Sequence, residues 1–270
     1  MSELGEFLRL RRARIRPSDV GLPEFGRRRR VPGLRREEVA QLAGVSVDYY
    51  VRLEQGRGDG VSAEVLDAVA RVLRLDRTER QHLHDLARPP REPARPGPRQ
   101  LRAGLRLVLD ALDAPAFALG RCLDVVAWNA LGDAVMGFSD MPPGQRNVAR
   151  HAFLSAAGRR LYPEFERVAA ETAAFLRVDA ARHPDDPELA ALLADLAADP
   201  LFAELWARHG VREKSHGRKL LLHPRVGELD LGYETLTPPG EPGLQLVVYT
   251  AEPGSPTAER LALLADAARI

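Results

Sequence analysis

One short segment of the chain carries side chains that could contact DNA. Residues 46–55 read Ser-Val-Asp-Tyr-Tyr-Val-Arg-Leu-Glu-Gln, with no glycine or proline to interrupt a helix. An arginine can pair with guanine, and an aspartate can accept a hydrogen bond from the amino group of cytosine. On a helix, the outer face would carry Ser46 and the candidate base-contacting residues, which are Val47, Asp48, Tyr49 and Arg52. Arg36 and Gln55 are better placed to contact phosphates.

These side chains need a second helix to hold them, and the preceding residues predict one. We expect helices over 35–43 and 46–55, joined by a tight turn at Gly44, since glycine tolerates a positive φ. The small residue Ala40 lets the two helices cross steeply. Apolar residues recur at the spacing that buries both inner faces: Val39, Ala43, Val45, Tyr50 and Leu53. This pattern is typical of a helix-turn-helix with 46–55 as the recognition helix, and an ordinary helical hairpin is the alternative.

A run of four arginines, Arg27, Arg28, Arg29 and Arg30, comes just before this pair of helices. Such a run can be a solvated loop, or it can contact phosphates or a narrow minor groove. If it lies in the interface, replacing the four arginines should flatten the salt dependence of DNA binding.

The net charge of the 270-residue chain is only +1, but this value conceals an uneven distribution. Residues 1–102 hold 22 arginines against 15 acidic residues, a net charge of +7. The remainder holds 15 arginines and 2 lysines against 23 acidic residues, a net charge of −6. A basic half joined to an acidic half indicates that the basic part contacts nucleic acid.

A proline-rich segment divides the chain into two candidate domains. Residues 88–100 contain five prolines, which predict an extended linker between domains at 1–87 and 101–270. The first domain should be all-α, with helices at 3–14, 35–43, 46–55, 62–73 and 78–87 and N-caps at Ser2, Ser46, Ser62 and Thr78.

The second domain mixes helical and strand patterns. Helices are expected at 101–112, 129–136, 150–159, 163–182, 187–197, 200–208 and 256–268. Strands are expected at 116–119, 122–128, 219–223, 228–235 and 244–251. The domain is therefore predicted to be α+β with an antiparallel sheet.

The composition excludes several classes of protein. The chain is 45% hydrophobic and 29% charged, which suits a soluble globular protein. No apolar run reaches membrane length and no signal-peptide apolar segment follows Met1, so we expect neither feature. A single cysteine, Cys122, excludes an internal disulfide framework and fits the cytoplasm. The seven histidines lack the spacing of metal ligands, and no nucleophile or phosphate-loop motif is present. We therefore expect no catalytic residues, no metal, no cofactor and no membrane insertion.

At these motifs the sequence resembles the helix-turn-helix regulators of the xenobiotic-response-element (XRE, lambda-repressor-like) class, and within it the MmyB-like subgroup. The residues that carry the resemblance are 32–40 and 44–58 in the first domain, and 128–131, 146–154, 205–211, 223–229 and 247–255 in the second. Other members of the class often have Ser or Thr in place of Arg35 and a shorter connection after the first helix, so their DNA contacts are not transferred to residues 16–32.

The resemblance implies a five-helix lambda-repressor-like DNA-binding domain and a PAS-like ligand-binding domain with an antiparallel sheet. It also implies a bacterial, cytoplasmic, dimeric transcription factor that binds an operator in double-stranded DNA and an apolar effector such as a fatty acid. The candidate ligand-binding residues are Phe117, Trp128, Asn129, Asn147, Arg150, Phe153, Trp206, His223 and Tyr249. Arg150 could hold a fatty-acid carboxylate, or it could make a structural ion pair.

Two other functions remain open at this point. The second domain could be only a platform for dimerisation or partner docking, or the protein could be an enzyme with a regulatory helix-turn-helix. A retained lipid-sized adduct would favour the sensor, its absence would favour the platform, and turnover would be required for the enzyme.

Overall fold

The computed structural model describes residues 2–22, 33–57, 60–88, 100–212, 215–241 and 243–268. The arginine run at 27–30 and most of the proline-rich linker lie outside these residues, so the sequence predictions on them stay predictions.

The first domain contains five α-helices in its described part, as the sequence predicts. They are α1 (Glu3–Arg14), α2 (Arg36–Ala43), α3 (Val47–Glu54), α4 (Ala63–Val72) and α5 (Arg77–Ala87), with a short 3-10 turn at Pro17–Val20. Their buried faces meet in one core that includes Phe7, Leu8, Tyr50, Leu66 and Leu83.

Ser2, Ser46 and Ser62 cap their helices as predicted, but the prediction for the last helix of this domain was wrong. Asp76, not Thr78, is the N-cap of α5, and its side chain accepts a hydrogen bond from the backbone N–H of Glu79 at 2.8 Å. The Glu79 carboxylate accepts from the N–H of Asp76 in return, which satisfies two backbone donors at once. This reciprocal pair starts the helix one residue before Thr78.

The second domain combines helices with a five-stranded sheet. The helices are α6 (Ala103–Asp110), α7 (Ala130–Met136), α8 (Val148–Leu154), α9 (Ala156–Leu161), α10 (Phe165–Arg182), α11 (Pro187–Leu196), α12 (Pro200–Ala207) and α13 (Pro256–Ala268). The strands are β1 (Ala116–Leu119), β2 (Val125–Trp128), β3 (His216–His223), β4 (Gly227–Leu236) and β5 (Gln245–Thr250). Short 3-10 turns occupy Arg121–Leu123 and Pro143–Gln145.

The sheet has the strand order β2-β1-β5-β4-β3, with every neighbouring pair antiparallel. Its inner face packs on a large core shared with the helices between β2 and β3, and α6 covers part of the outer face through Leu109. The predicted α+β domain with an antiparallel sheet is confirmed.

Two local expectations in this domain were wrong. The strand predicted from residue 122 begins at Val125, because Cys122 and Leu123 have φ of +60° and +64° and form a tight turn. The single helix predicted over 150–159 is two helices, because Ser155 is extended and its side chain caps α9 by accepting from the N–H of Gly158 at 2.9 Å.

Candidate functional site

The turn between α2 and α3 has the geometry that the sequence predicts. Gly44 has φ of +70°, and the N–H of Val45 donates to the carbonyl of Ala40 at 3.0 Å. The side chain of Ser46 accepts from the N–H of Tyr49 at 3.1 Å, which fixes the first turn of α3. Two helices with buried inner faces are thus joined through a left-handed glycine, as in a helix-turn-helix.

The outer face of α3 is open to solvent. Ser46, Val47, Asp48, Arg52 and Gln55 are exposed, and Val47 in particular is 40% exposed although it is apolar. Tyr49 is half-buried, and the guanidinium carbon of Arg52 lies 5.7 Å from the centre of its ring. The predicted base-contacting residues therefore share one accessible surface.

The C-terminal end of α3 is held by a buried carboxylate that the sequence did not single out. Glu54 is 5% exposed, and it accepts hydrogen bonds from Arg12 of α1 and Arg36 of α2, each at 2.6 Å. Burial alone would raise the pKa of Glu54, but these two arginines outweigh it and lower the pKa. Arg36, predicted to contact phosphate, is half exposed and also positions the recognition helix.

Helix α1 approaches the end of α3 closely because of Gly5. A Cβ atom at Gly5 would clash with the backbone carbonyl of Glu54. The absence of a side chain here brings Arg12 within reach of the Glu54 carboxylate.

The two domains contact each other through α1 and α5 on one side and α10 and the end of α12 on the other. Arg177 of α10 is 1% exposed, and it donates to the Glu3 carboxylate at 3.2 Å and to the Trp206 carbonyl. Its guanidinium carbon lies 3.9 Å from the centre of the Trp206 ring. Arg182 donates to the Asp85 carboxylate at 3.0 Å. These contacts leave the outer face of α3 uncovered.

A second cluster at this interface surrounds His209, which follows α12. Arg11 donates to the His209 carbonyl at 3.0 Å and pairs with Glu79 at 3.1 Å, and the His209 ring lies 3.4 Å from the Glu6 carboxylate. Burial first, and then the positive charge of Arg177, lower the pKa of His209 to about 4. The same two causes lower the pKa of buried His82 in α5 to about 3.

The aromatic residues predicted to bind ligand form two groups in the second domain. Phe117 lies edge-on to Tyr249 at 5.5 Å between ring centres, and Trp128 joins this group through Phe138. In the other group, Phe153 and Trp206 both contact Phe202, at 5.2 Å and 5.6 Å. All of these residues pack in or against the same core.

The polar candidates Asn129, Asn147 and His223 already have several hydrogen-bond partners. Asn129 caps α7 and donates to the carbonyls of 112 and 114, and Asn147 caps α8 and donates to the Cys122 carbonyl at 2.7 Å. The His223 ring lies 2.9 Å from the Ala134 carbonyl, and the backbone N–H groups of 225 and 226 donate to its other nitrogen. Each of these side chains therefore organises a helix start or a turn.

Arg150 lies at the surface. The sequence left open whether it holds a ligand carboxylate or makes a structural ion pair. It makes two hydrogen bonds, of 2.6 Å and 3.0 Å, to Asp195 of α11. It also lines two neighbouring clefts of about 550 Å³ and 400 Å³. The ion pair is thus formed in this structure, while the clefts leave the guanidinium partly accessible.

The part of the chain that the structure describes contains little that resembles an enzyme centre. Burial, and then Asp179, raise the pKa of the Cys122 thiol to about 12, so it stays protonated at neutral pH. No cluster of three or more His, Cys, Asp or Glu residues in the described ranges could hold a metal ion. None of the helices in these ranges is long and apolar enough to span a membrane.

Comparison with protein families finds two matches. Residues 3–83 match a helix-turn-helix domain, and residues 101–264 match the ligand-binding domain of MmyB-like transcription regulators. The second match alone covers more than half of the chain. No curated protein matches the sequence.

Proposed function

The chain belongs to the MmyB-like transcription regulators, and we propose that it binds operator DNA as a homodimer under the control of a fatty-acid-like effector. A role as a ligand-responsive transcription regulator follows from the two domains themselves, since a DNA-binding helix-turn-helix is joined to the ligand-binding domain of a transcription regulator. The proposal places the protein in the bacterial cytoplasm, with double-stranded DNA, a second copy and a small apolar ligand as its partners.

The observation that carries the proposal is the exposed face of α3. Val47, Asp48, Tyr49 and Arg52 share one surface, which remains accessible while the two domains are in contact. A helix-turn-helix inserts such a face into the major groove, where each base pair presents a distinct pattern of donors and acceptors.

An apolar effector is supported by the large aromatic residues of the second domain. Phe117, Tyr249, Phe153 and Trp206 pack in or against its core and give that core a large aromatic, apolar content. An effector regulates DNA binding only if it binds one arrangement of the dimer more tightly than another.

The dimer contact is proposed to lie on α6, which is apolar on two faces. Leu109 packs on the sheet, whereas Leu107 and Val108 are 71% and 50% exposed. A helix that is apolar on both sides is usually buried on both. Arg106 and Asp110 lie one turn apart beside this exposed pair, so an antiparallel α6 of a second copy would meet the opposite charge at each end. Self-complementarity of this kind is what a two-fold interface requires.

In vitro selection from a random DNA library, followed by sequencing, tests the proposed function. The full chain should enrich a two-fold symmetric motif with half-sites about one helical turn apart. Affinity for the selected DNA, measured with and without decanoate, should then differ.

Each other outcome of the selection contradicts a stated part of the proposal. Enrichment without any common motif would contradict sequence-specific binding. An asymmetric motif would contradict the dimer. Equal affinity with and without decanoate would contradict the effector and favour a C-terminal domain that serves only as a platform.

A further inference from the structure

Lys219 occupies an unusual position on the inner face of the sheet. Along β3, Gly217, Lys219 and Leu221 alternate with outward-facing residues, and their cross-strand partners in β4 are Tyr233, Leu231 and Leu229. Lys219 is only 8% exposed, and its neighbours Leu221 and Leu231 are fully buried apolar residues. A strand with this alternation places its inner residues against the core, so the ammonium group lies inside the domain.

The buried ammonium has no anionic partner among the described residues. Its nitrogen lies 5.6 Å and 5.5 Å from the ring centres of Tyr162 and Tyr233, but no hydrogen bond or ion pair of Lys219 is formed there. Other buried cations of the domain are paired, since Arg121 contacts Asp186 and Arg177 contacts Glu3. A buried charge is costly unless it is paired.

A nearby carboxylate, that of Glu171, does not form an ion pair with Lys219. Glu171 of α10 is 5% exposed, and one of its oxygens accepts from Arg167 at 3.2 Å and from Arg212 at 3.1 Å. Its other oxygen is buried without a hydrogen-bond partner in the described structure. Glu171 thus binds two arginines through one oxygen, and its charge also acts on Lys219, but the two residues form no ion pair in the described structure.

Three tyrosines complete the surroundings. Tyr233 is the cross-strand partner of Tyr249, and Tyr162 reaches the same region from the end of α9. All three are at least nine-tenths buried. Phenol hydroxyls and an ammonium are all donors that an anion can accept.

We propose that Lys219 binds the acidic group of an amphipathic carboxylate inside the C-terminal domain, with its apolar chain against the leucines and aromatic residues of the core. The inference rests on the proposed function, because it assigns the head-group contact of the effector site. It also places that contact on β3 and not on Arg150, which is paired with Asp195 at the surface.

The ionisation of Lys219 makes the contact sensitive to pH. Burial lowers the pKa of Lys219 to about 8, with an opposing effect of Glu171 and a further lowering by Arg167. Arg212, Tyr162, Tyr233 and Tyr249 are the other titratable groups that face this region. Above pH 8 the amine is mostly neutral, so affinity for a carboxylate should fall between pH 7 and pH 9, while affinity for an uncharged ligand should not.

Calorimetric titration of the full chain with decanoate and with 1-decanol tests this assignment, since the two probes share an alkyl chain and differ in the head group. Wild type should bind decanoate about tenfold or more tightly than decanol. Lys219→Met should lose that preference while still binding decanol, which shows that the variant is folded. Lys219→Arg should retain part of the preference, and Arg150→Met should retain all of it.

The remaining outcomes separate this inference from the function on which it rests. Retention of the decanoate preference by Lys219→Met, or its loss in Arg150→Met, would overturn the assignment alone. Binding of neither probe by wild type would overturn the proposed effector class and the head-group assignment together. Equal decanoate affinity at pH 7 and pH 9 would also overturn the role of Lys219.

Discussion

Arg52 and Glu54 belong to the same short helix but have opposite surroundings. Arg52 is exposed and lies beside Tyr49 on the outer face, whereas Glu54 is buried and held by two arginines. One face of the helix is therefore free to contact DNA, and the other face holds the contacts that fix its orientation.

Replacement of Arg52 with alanine should reduce sequence-specific binding. A base contact by arginine is worth about 1–3 kcal/mol of discrimination, or roughly a tenfold to a hundredfold loss of affinity for the selected site. Fluorescence anisotropy with selected and scrambled duplexes measures it, and affinity for the scrambled duplex should change little. Arg9→Ala, which removes an exposed arginine of α1, is the matched control. An equal loss on both duplexes would show that Arg52 contacts phosphate.

Replacement of Glu54 with alanine should destabilise the first domain by about 3 kcal/mol, because it leaves the partly buried Arg12 without its carboxylate. Urea unfolding measures the change, and Glu37→Ala in the exposed first turn of α2 is the control. Because the pKa of Glu54 is lowered in the folded state, its contribution is present above the unfolded pKa of about 4.3 and is lost as pH falls below it. A variant as stable as wild type at pH 7 would exclude this role.

At the scale of elements, α6 connects the second domain to the linker that precedes it. Its exposed apolar residues are the clearest sign of a missing partner in the described structure. If the partner is a second copy, α6 sets the distance between two DNA-binding domains.

Leu107→Asp should convert the dimer to a monomer at micromolar concentration, because it introduces a charge at the centre of the proposed interface. Sedimentation velocity measures the change in mass. Leu263→Asp, at a similarly exposed leucine of α13, should leave the dimer intact. Dimers of unchanged stability in Leu107→Asp would place the interface elsewhere.

The elements themselves were largely predictable because their signals are local. Gly44 and Ser46 fix the turn of the helix-turn-helix, and alternating apolar residues indicate the three strands near the C-terminus. The errors arose where two local signals compete, as at Ser155, whose capping of α9 divides a continuous helical pattern.

The buried charges could not be predicted in the same way. Arg177 contacts Glu3 across 174 positions of sequence, and Lys219 is buried beside Tyr162 at the end of α9 and Tyr233 of β4. In the sequence alone, both look like ordinary solvated cations. The predicted ligand-binding residues include Tyr249 of this region, and their role stays a prediction.

In the folded molecule, two buried histidines near the contact between the domains stay neutral at neutral pH. The pKa of His209 is lowered to about 4 and that of His82 to about 3, in each case by burial and then by Arg177. Their lowered pKa values mean that the unfolded chain binds protons below pH 6.5 that the folded chain does not bind.

Acidification from pH 6.5 toward pH 4 should therefore destabilise the folded chain, and His209→Gln should reduce this dependence. The contribution of each histidine is up to about 1.4 kcal/mol per pH unit within this window. Urea unfolding at pH 7.5 and pH 5 measures it, with His216→Gln at the exposed start of β3 as the control. An identical pH dependence in His209→Gln and wild type would refute the role of His209.

Two neighbouring residues of helix α1 contact different domains. Arg11 contacts the His209 carbonyl, whereas Arg12 contacts Glu54 at the end of the recognition helix. If the first domain were joined to a different second domain at the proline-rich linker, it would keep the contact between Arg12 and Glu54. It would lose the contact between Arg11 and His209. Transplanting the regulatory half onto another operator specificity therefore requires more than a suitable junction: the incoming domain must also carry counterparts of Glu3, Glu6 and Arg11.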